Sequence, residues 1–251
     1  MSSWVLHDQP TRAYLSACKR ASVDDNFFSV FKRDGGYRHV LEHVPFEEGQ
    51  KYLDAIEIDY KDKLAEIKEN DKLGSPYTFE YPNVGIISPT TLRYIKNSSD
   101  IVNRFGTDIK SIVEIGGGYG GLCKVLSSFI KFESYLIIDL EEPNLLSRKY
   151  LSHFNLPALS HRSEEIASVD DNFDLLISNY AFSECERETQ VEYLEKFVKK
   201  SNRFYMMYND FGPTNIHHTE MIDLLSDDYD IEFYADHGIE TEPKVMFGER
   251  K

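Results

Sequence analysis

Between Val113 and Leu122 the sequence reads VEIGGGYGGL and holds five of the chain's fourteen glycines. Glycine loses more backbone freedom on folding than any other residue, so such a cluster marks a sharp turn or a close approach to the backbone. Gly116, Gly118 and Gly121 fit the spacing Gly-x-Gly-x-x-Gly, Gly116, Gly118 and Gly120 fit a tighter one, and Gly117 completes the run. After a strand and before a helix this pattern cradles a nucleotide-like ligand; without a ligand it is only a tight strand-to-helix turn. Two acids favour the ligand. Glu114 stands in an otherwise apolar run two residues before Gly116, and a buried acid is costly unless it has a partner. A pyrophosphate would be repelled there, whereas a ligand with a cationic amino group would be held. Asp139 ends the run YLIID, where a carboxylate can accept hydrogen bonds from two ribose hydroxyls; the plain alternative is an acid at a helix N-terminus.

A second set of residues could move a proton. His217 and His218 lie in FGPTNIHHTE, and histidine titrates near neutrality. Glu184, in SNYAFSEC, is the next candidate. Solvent-facing helix residues and a helix N-terminal acid are the alternatives for these three. Asn209 and Asp210 could bind acceptor hydroxyls. With Asn179 they offer a metal only one certain charge, where Mg²⁺ is usually held by one or two carboxylates. No metal is expected, and Asp236-His237 reads as a turn before Gly238.

These residues need a frame. From residue 111 onward, the apolar runs SIVEIG, SYLIIDL, FDLLISN and RFYMMYN alternate with the helical patterns GGLCKVLSSFIKF, EPNLLSRKYLSHFN, ERETQVEYLEKFVKKS and HHTEMIDLLSD. Such alternation predicts βαβ crossovers and a mostly parallel sheet, with a ligand at the carboxyl ends of its strands. YDIEFYAD and KVMFGER predict an antiparallel pair at one edge, and residues 156–170 hold one more strand. Ahead of these, RAYLSACKRA and EGQKYLDAIEIDYKDKLAEIKEN predict helices, the latter with Leu53, Ile56, Tyr60, Leu64 and Ile67 at helical spacing. NDKLGSPYTFEYPNVGIISP reads as a loop or extended link, and Ser88-Pro89 as the N-cap and first residue of a helix. The division expected is an N-terminal helical region, 1–85, that shapes an acceptor pocket, and a ligand-binding α/β domain, 86–251.

Composition narrows the ligand. The 251 residues carry 28 Lys and Arg against 43 Asp and Glu, a net charge of −15. That balance repels a polyanion, so nucleic acid is not an expected partner. Hydrophobic residues at 41% suffice for a sizeable core. Three scattered cysteines argue against a disulfide framework and for a reducing compartment. No apolar run reaches membrane-spanning length and the first residues lack a signal-peptide layout, so the location expected is cytoplasmic.

S-adenosylmethionine, which carries an ammonium and a sulfonium, suits the glycine turn and its two acids. VEIGGGYGGL, IIDLEEPNLLSRKYL and FDLLISNYAFSE resemble the motifs of class I S-adenosylmethionine-dependent methyltransferases. More narrowly they resemble the sugar O-methyltransferase family, as does SPTTLRYI. One departure stands in Asp139-Leu140-Glu141-Glu142-Pro143, where that group commonly has Asp-Leu-Pro-Glu. The resemblance implies an α/β fold: a Rossmann-like seven-stranded methyltransferase sheet with helices on both faces, plus the N-terminal helical cap. It also implies roles. Glu114 and the backbone of Gly116, Gly117 and Gly118 would hold the methionine part, Asp139 the ribose, and Leu140 the adenine face. Ser163 and Glu164 would reach the adenine amino group, and Asn179 and Tyr180 would line the methyl donor. Arg93 or Tyr94 would close over the cofactor. The partner expected is a small-molecule acceptor, a sugar or sugar derivative of polysaccharide biosynthesis, with no membrane and a homodimer to be tested. Alternatives are another small polar or phosphorylated acceptor, a catalytically inactive binding protein of this fold, and, less favoured by Glu114, a nicotinamide-dependent oxidoreductase.

Overall fold

The computed structural model describes residues 9–162, 172–210, 212–235 and 244–251. The chain begins with helices α1 (Gln9–Val23), α2 (Asp25–Phe28), α3 (Gly35–Val40), α4 (Phe46–Asp54) and α5 (Leu64–Ile67). A hairpin of β1 (Phe79–Tyr81) and β2 (Gly85–Ile87) leads into the long helix α6 (Pro89–Phe105). Then follow β3 (Ser111–Ile115), α7 (Gly121–Leu126), β4 (Ser134–Ile138), α8 (Glu141–Leu151), β5 (Ala158–Arg162) and β6 (Phe173–Asn179). The rest comprises α9 (Ala181–Glu184), α10 (Arg187–Lys196), β7 (Ser201–Tyr208), α11 (His218–Leu225), β8 (Tyr229–Ala235) and β9 (Lys244–Arg250).

Seven strands form one sheet in the order β5-β4-β3-β6-β7-β9-β8. The first five are parallel to their neighbours, and β9 runs antiparallel between β7 and β8. The order departs in opposite directions from β3, which makes the β3/β6 boundary the switch point where a ligand crevice opens. Side chains alternate across the sheet. Ile112, Ile137, Leu175 and Met207 face a core shared with α6, α7, α8 and the N-terminal helices. Val113, Ile138, Leu176 and Met206 face a second core under α9, α10 and α11. Glu114 has the parity of Ile112, so it points to the side covered by the N-terminal helices.

Those helices are packed into the first core rather than set beside it. Helix α1 lies against α8 and α3, and α4 against α6. Tyr119, inside the glycine run, is the hub: its ring meets Phe31, Tyr37, Tyr94 and Tyr150 at centroid distances of 5.9, 6.4, 6.1 and 4.8 Å. The fully buried Lys32 ammonium lies 4.2 Å from the same ring centroid and donates to the Asn70 carbonyl at 2.9 Å. Such a desolvated cation–π contact contributes about 2 kcal/mol.

Local chemistry explains where helices start and stop. Ser88 Oγ accepts from Thr90 N with Pro89 in the first turn, as the sequence predicts, and Gly106 at φ +75° ends α6. The spacing of EGQKYLDAIEIDYKDKLAEIKEN suggests helix throughout, but α4 stops at Asp54. Beyond it Ser99 Oγ, on α6, accepts from the backbone N–H groups of Glu57 and Ile58. These bonds replace the helical ones that the β-branched Ile56 and Ile58 favour least. Helix α7 is also shorter than its pattern, because Ser127 Oγ turns back to the Lys124 carbonyl.

Candidate functional site

The turn after β3 can be made only by glycine. Gly116, Gly118 and Gly120 have φ of +79°, +56° and +88°, a region that costs other residues about 1–2 kcal/mol. Gly116 N donates to the Ile138 carbonyl, tying the turn to the end of β4. The glycines also admit neighbours. A Cβ on Gly117 would lie 2.7 Å from Ile137 Cγ2, one on Gly118 2.6 Å from Leu41 Cδ1, and one on Gly120 2.7 Å from Leu151 Cδ1. Part of what approaches this backbone is therefore the protein itself, including the N-terminal segment.

Two buried acids flank the turn. Glu114 Oε2 accepts from the Tyr135 hydroxyl at 2.8 Å. Asp139 Oδ2 accepts from Gly118 N at 2.8 Å, and Oδ1 from Leu140 N at 2.7 Å. Burial pushes Glu114 up to about 7, opposed by the Tyr135 bond and reinforced by Asp139. Burial also pushes Asp139 up to about 7 against its two backbone donors. Among the described residues, neither acid has a cationic side chain within salt-bridge distance.

Both open onto a cavity of about 620 Å³ at the carboxyl ends of β3, β4, β6 and β7. One wall is the turn, with Gly116, Gly117, Gly118, Asp139 and Leu140. Asn179, Tyr180, Glu184 and Asn209 line the β6–β7 side. Tyr180 has φ +68°, and its N–H donates to the Met207 carbonyl; strain of this kind gathers at ligand sites. Arg93, on α6, closes a third side, donating from Nη2 to the Leu41 carbonyl at 3.3 Å. Nearby Asn97 donates to Asn179 Oδ1 at 3.3 Å, while its own buried Oδ1 lacks a partner among the described residues. The N-terminal segment supplies the fourth side: His39, Leu41, His43, Glu48 and Tyr52. Tyr52 donates to Glu48 Oε1 at 2.9 Å. His43 lies exposed at the cavity rim, where partial desolvation and the Arg93 charge lower its ring from the ordinary range. Glu184 is raised by desolvation, with Asn209 opposing.

The cavity thus gathers Glu114, Gly116, Gly117, Gly118, Asp139, Leu140, Asn179, Tyr180, Arg93 and Glu184 from the sequence-predicted set. Ser163, Glu164 and the Asp236-His237 pair lie outside the described residues. His217 and His218 do not line the cavity. After Asn209 the chain turns toward the far sheet edge, where Asp210 Oδ2 accepts from His218 Nδ1 at 2.5 Å and from Lys244 Nζ at 2.6 Å. Asp210 Oδ1 takes His218 N, and the His218 ring stacks on Phe233 with centroids 4.7 Å apart. The two bonds to Oδ2, with that of His218 N, outweigh partial burial and hold Asp210 at about 2. His217 Nε2 sits 2.7 Å from the Gly212 carbonyl. Sequence reasoning misses Tyr135, Asn97, His43, Glu48 and Tyr52. Only strand register could have exposed Tyr135, which shares its sheet face with Glu114.

Solved structures share this architecture. A proposed RNA methyltransferase from Pyrococcus horikoshii superposes with a TM-score of 0.50 at 12% identity, over 77% of this chain and 98% of that one. The N-methyltransferase NodS from Bradyrhizobium japonicum WM9 gives 0.50 at 14% identity, over 63% and 93%. A magnesium protoporphyrin IX methyltransferase from Synechocystis PCC 6803, solved with bound S-adenosylmethionine, gives 0.49 at 9% identity, over 85% and 95%. This is a methyltransferase fold. No family model and no curated protein sequence matches the chain. Among the described residues no group of three or more His, Cys, Asp or Glu could hold a metal ion, and no helix is long and apolar enough to cross a membrane.

Proposed function

We propose that the protein is an S-adenosylmethionine-dependent methyltransferase that methylates a hydroxyl of a sugar or sugar-like metabolite. The observation that carries this reading is the pair of buried acids, Glu114 and Asp139, set on either side of a glycine turn with no cationic side chain beside them among the described residues. The residues fit the cofactor. Glu114 offers a carboxylate beside the space for an ammonium, Asp139 an acceptor for ribose hydroxyls, and Leu140 an apolar contact for the adenine. Arg93 lines the same cavity, and its guanidinium suits the methionine carboxylate. S-adenosylmethionine, when bound, supplies a methyl group whose bond to sulfur breaks as the acceptor oxygen bonds to carbon, its electron pair staying on sulfur.

The protein's own part is to align the acceptor, exclude water and take its proton. His43 suits the role of proton acceptor, because it lines the cavity and desolvation with the Arg93 charge favours its neutral form. Glu184, on the β6–β7 side, is the second proton acceptor. Gly118 carries Leu41 against it, so the N-terminal layer shields the turn from solvent. The net charge of −15 favours a small acceptor over RNA.

Titration calorimetry with S-adenosylhomocysteine, with NAD as control, tests the reading. Binding of the first alone supports it. Binding of neither, or of NAD alone, overturns it.

A further inference from the structure

With the cofactor's residues set aside, three groups on the cavity wall keep acceptor positions open: Glu48, Glu184 and His43. Glu48 has Oε1 engaged by Tyr52 and a second oxygen besides. Glu184 adds another carboxylate beside Asn209, and the His43 ring, whose neutral form is favoured by desolvation and Arg93, has a lone pair. Arg93 is the one Lys or Arg among the described lining residues, against four carboxylates: Glu48, Glu114, Asp139 and Glu184. A phosphate in this half would meet like charge in a partly desolvated space and no second cation.

We propose that the acceptor is an unphosphorylated small molecule that presents several O–H or N–H hydrogens, held by Glu48 and Glu184. The proposal rests on the methyltransferase reading above and fixes the chemistry of its acceptor. The O–H to be methylated lies toward His43, whose ring nitrogen receives the proton. A neutral polyol and an amino sugar share this chemistry.

The test is equilibrium binding to the protein saturated with S-adenosylhomocysteine. Methyl glucoside, glucosamine and glucose 6-phosphate serve as probes in calorimetry. The expected result is binding of methyl glucoside or glucosamine at least roughly tenfold tighter than glucose 6-phosphate, the worth of one charged hydrogen bond. Glu48→Gln should weaken glucosamine more than methyl glucoside if the amine is what the wall holds, and both alike if hydroxyls are. Equal or tighter binding of the phosphate overturns the proposal. So does binding of none of the three by a protein that takes S-adenosylhomocysteine. Failure to take S-adenosylhomocysteine is a different result: it removes the methyltransferase reading, and the acceptor proposal with it.

Discussion

Two clusters of charge sit at the same end of the sheet and behave in opposite ways. At Asp210 the carboxylate is fully compensated: His218, Lys244 and a backbone N–H surround it, and it is held at about 2. At Glu114 and Asp139 the carboxylates are buried with neutral donors only, and both rise to about 7. The first arrangement locks α11 to β9 and asks for nothing more. The second is under-compensated, and a cationic or hydroxyl-bearing ligand would complete it. Strong polar networks hold shape, while incomplete ones point to ligands.

The comparison can be broken most sharply with two histidines. With the best unphosphorylated acceptor, His43→Gln should slow methyl transfer about 100-fold or more, the usual span for a lost general base. S-adenosylhomocysteine affinity should stay within about twofold, since His43 is assigned no cofactor contact. His218→Gln should leave the rate unchanged and lower the melting temperature. The reverse pattern would return the base to the sheet edge.

The acids come next. Asp139→Asn should weaken S-adenosylhomocysteine roughly 10–100-fold by calorimetry, because hydrogen bonds to a charged acceptor are worth about 1.5–3 kcal/mol. Arg93→Met should weaken it about tenfold while leaving 5′-methylthioadenosine, which lacks the carboxylate, almost unaffected. Equal losses for both ligands would remove Arg93 from the carboxylate.

Stability should separate the clusters by sign. An acid raised on folding costs stability once pH exceeds both its unfolded and folded values. For Glu114 and Asp139 the cost is absent below about pH 4 and complete above about pH 7. The ligand-free protein should therefore lose melting temperature between about pH 4 and 7, relative to the Glu114→Gln/Asp139→Asn double variant. Asp210 is lowered on folding, so its contribution is present above about pH 4 and disappears as pH falls through about 2. Asp210→Asn should have the smallest effect, about 2–4 °C at pH 7, with cofactor affinity kept.

The legible half of the molecule is local. Strand, glycine turn and helix follow one another within a few residues, so their hydrophobic period and the positive-φ demand of Gly116 and Gly118 are written in one stretch. Asp139 is legible for the same reason, as the acid that ends the next strand. The acceptor wall is not. His43 and Glu48 reach the cavity only because α1 packs on α8 and α4 on α6, and nothing adjacent to them in sequence carries that information. The break after Asp54 shows the same limit: helical spacing runs on, but a serine forty-odd residues away takes the backbone. His217 and His218 mislead because a place after a strand is not a place over the crevice. The chain turns at Asp210.

One contact between the N-terminal layer and α8 bears on synthesis. Lys149 Nζ, on α8, joins Asp25 Oδ1 at 2.7 Å and the Ala21 carbonyl at 3.0 Å, the latter 128 residues earlier. At ribosomal speeds of about 5–20 residues per second, roughly 6–25 s separate the emergence of these partners. During that interval the nascent helix α1 has an apolar face, with Tyr14, Ala17 and Cys18, and of its two main partners only α3, not α8, on which to dock. A fragment ending before residue 149 would keep the α8-facing part of α1 exposed, and should collect with chaperones or in the pellet rather than as a smaller folded protein.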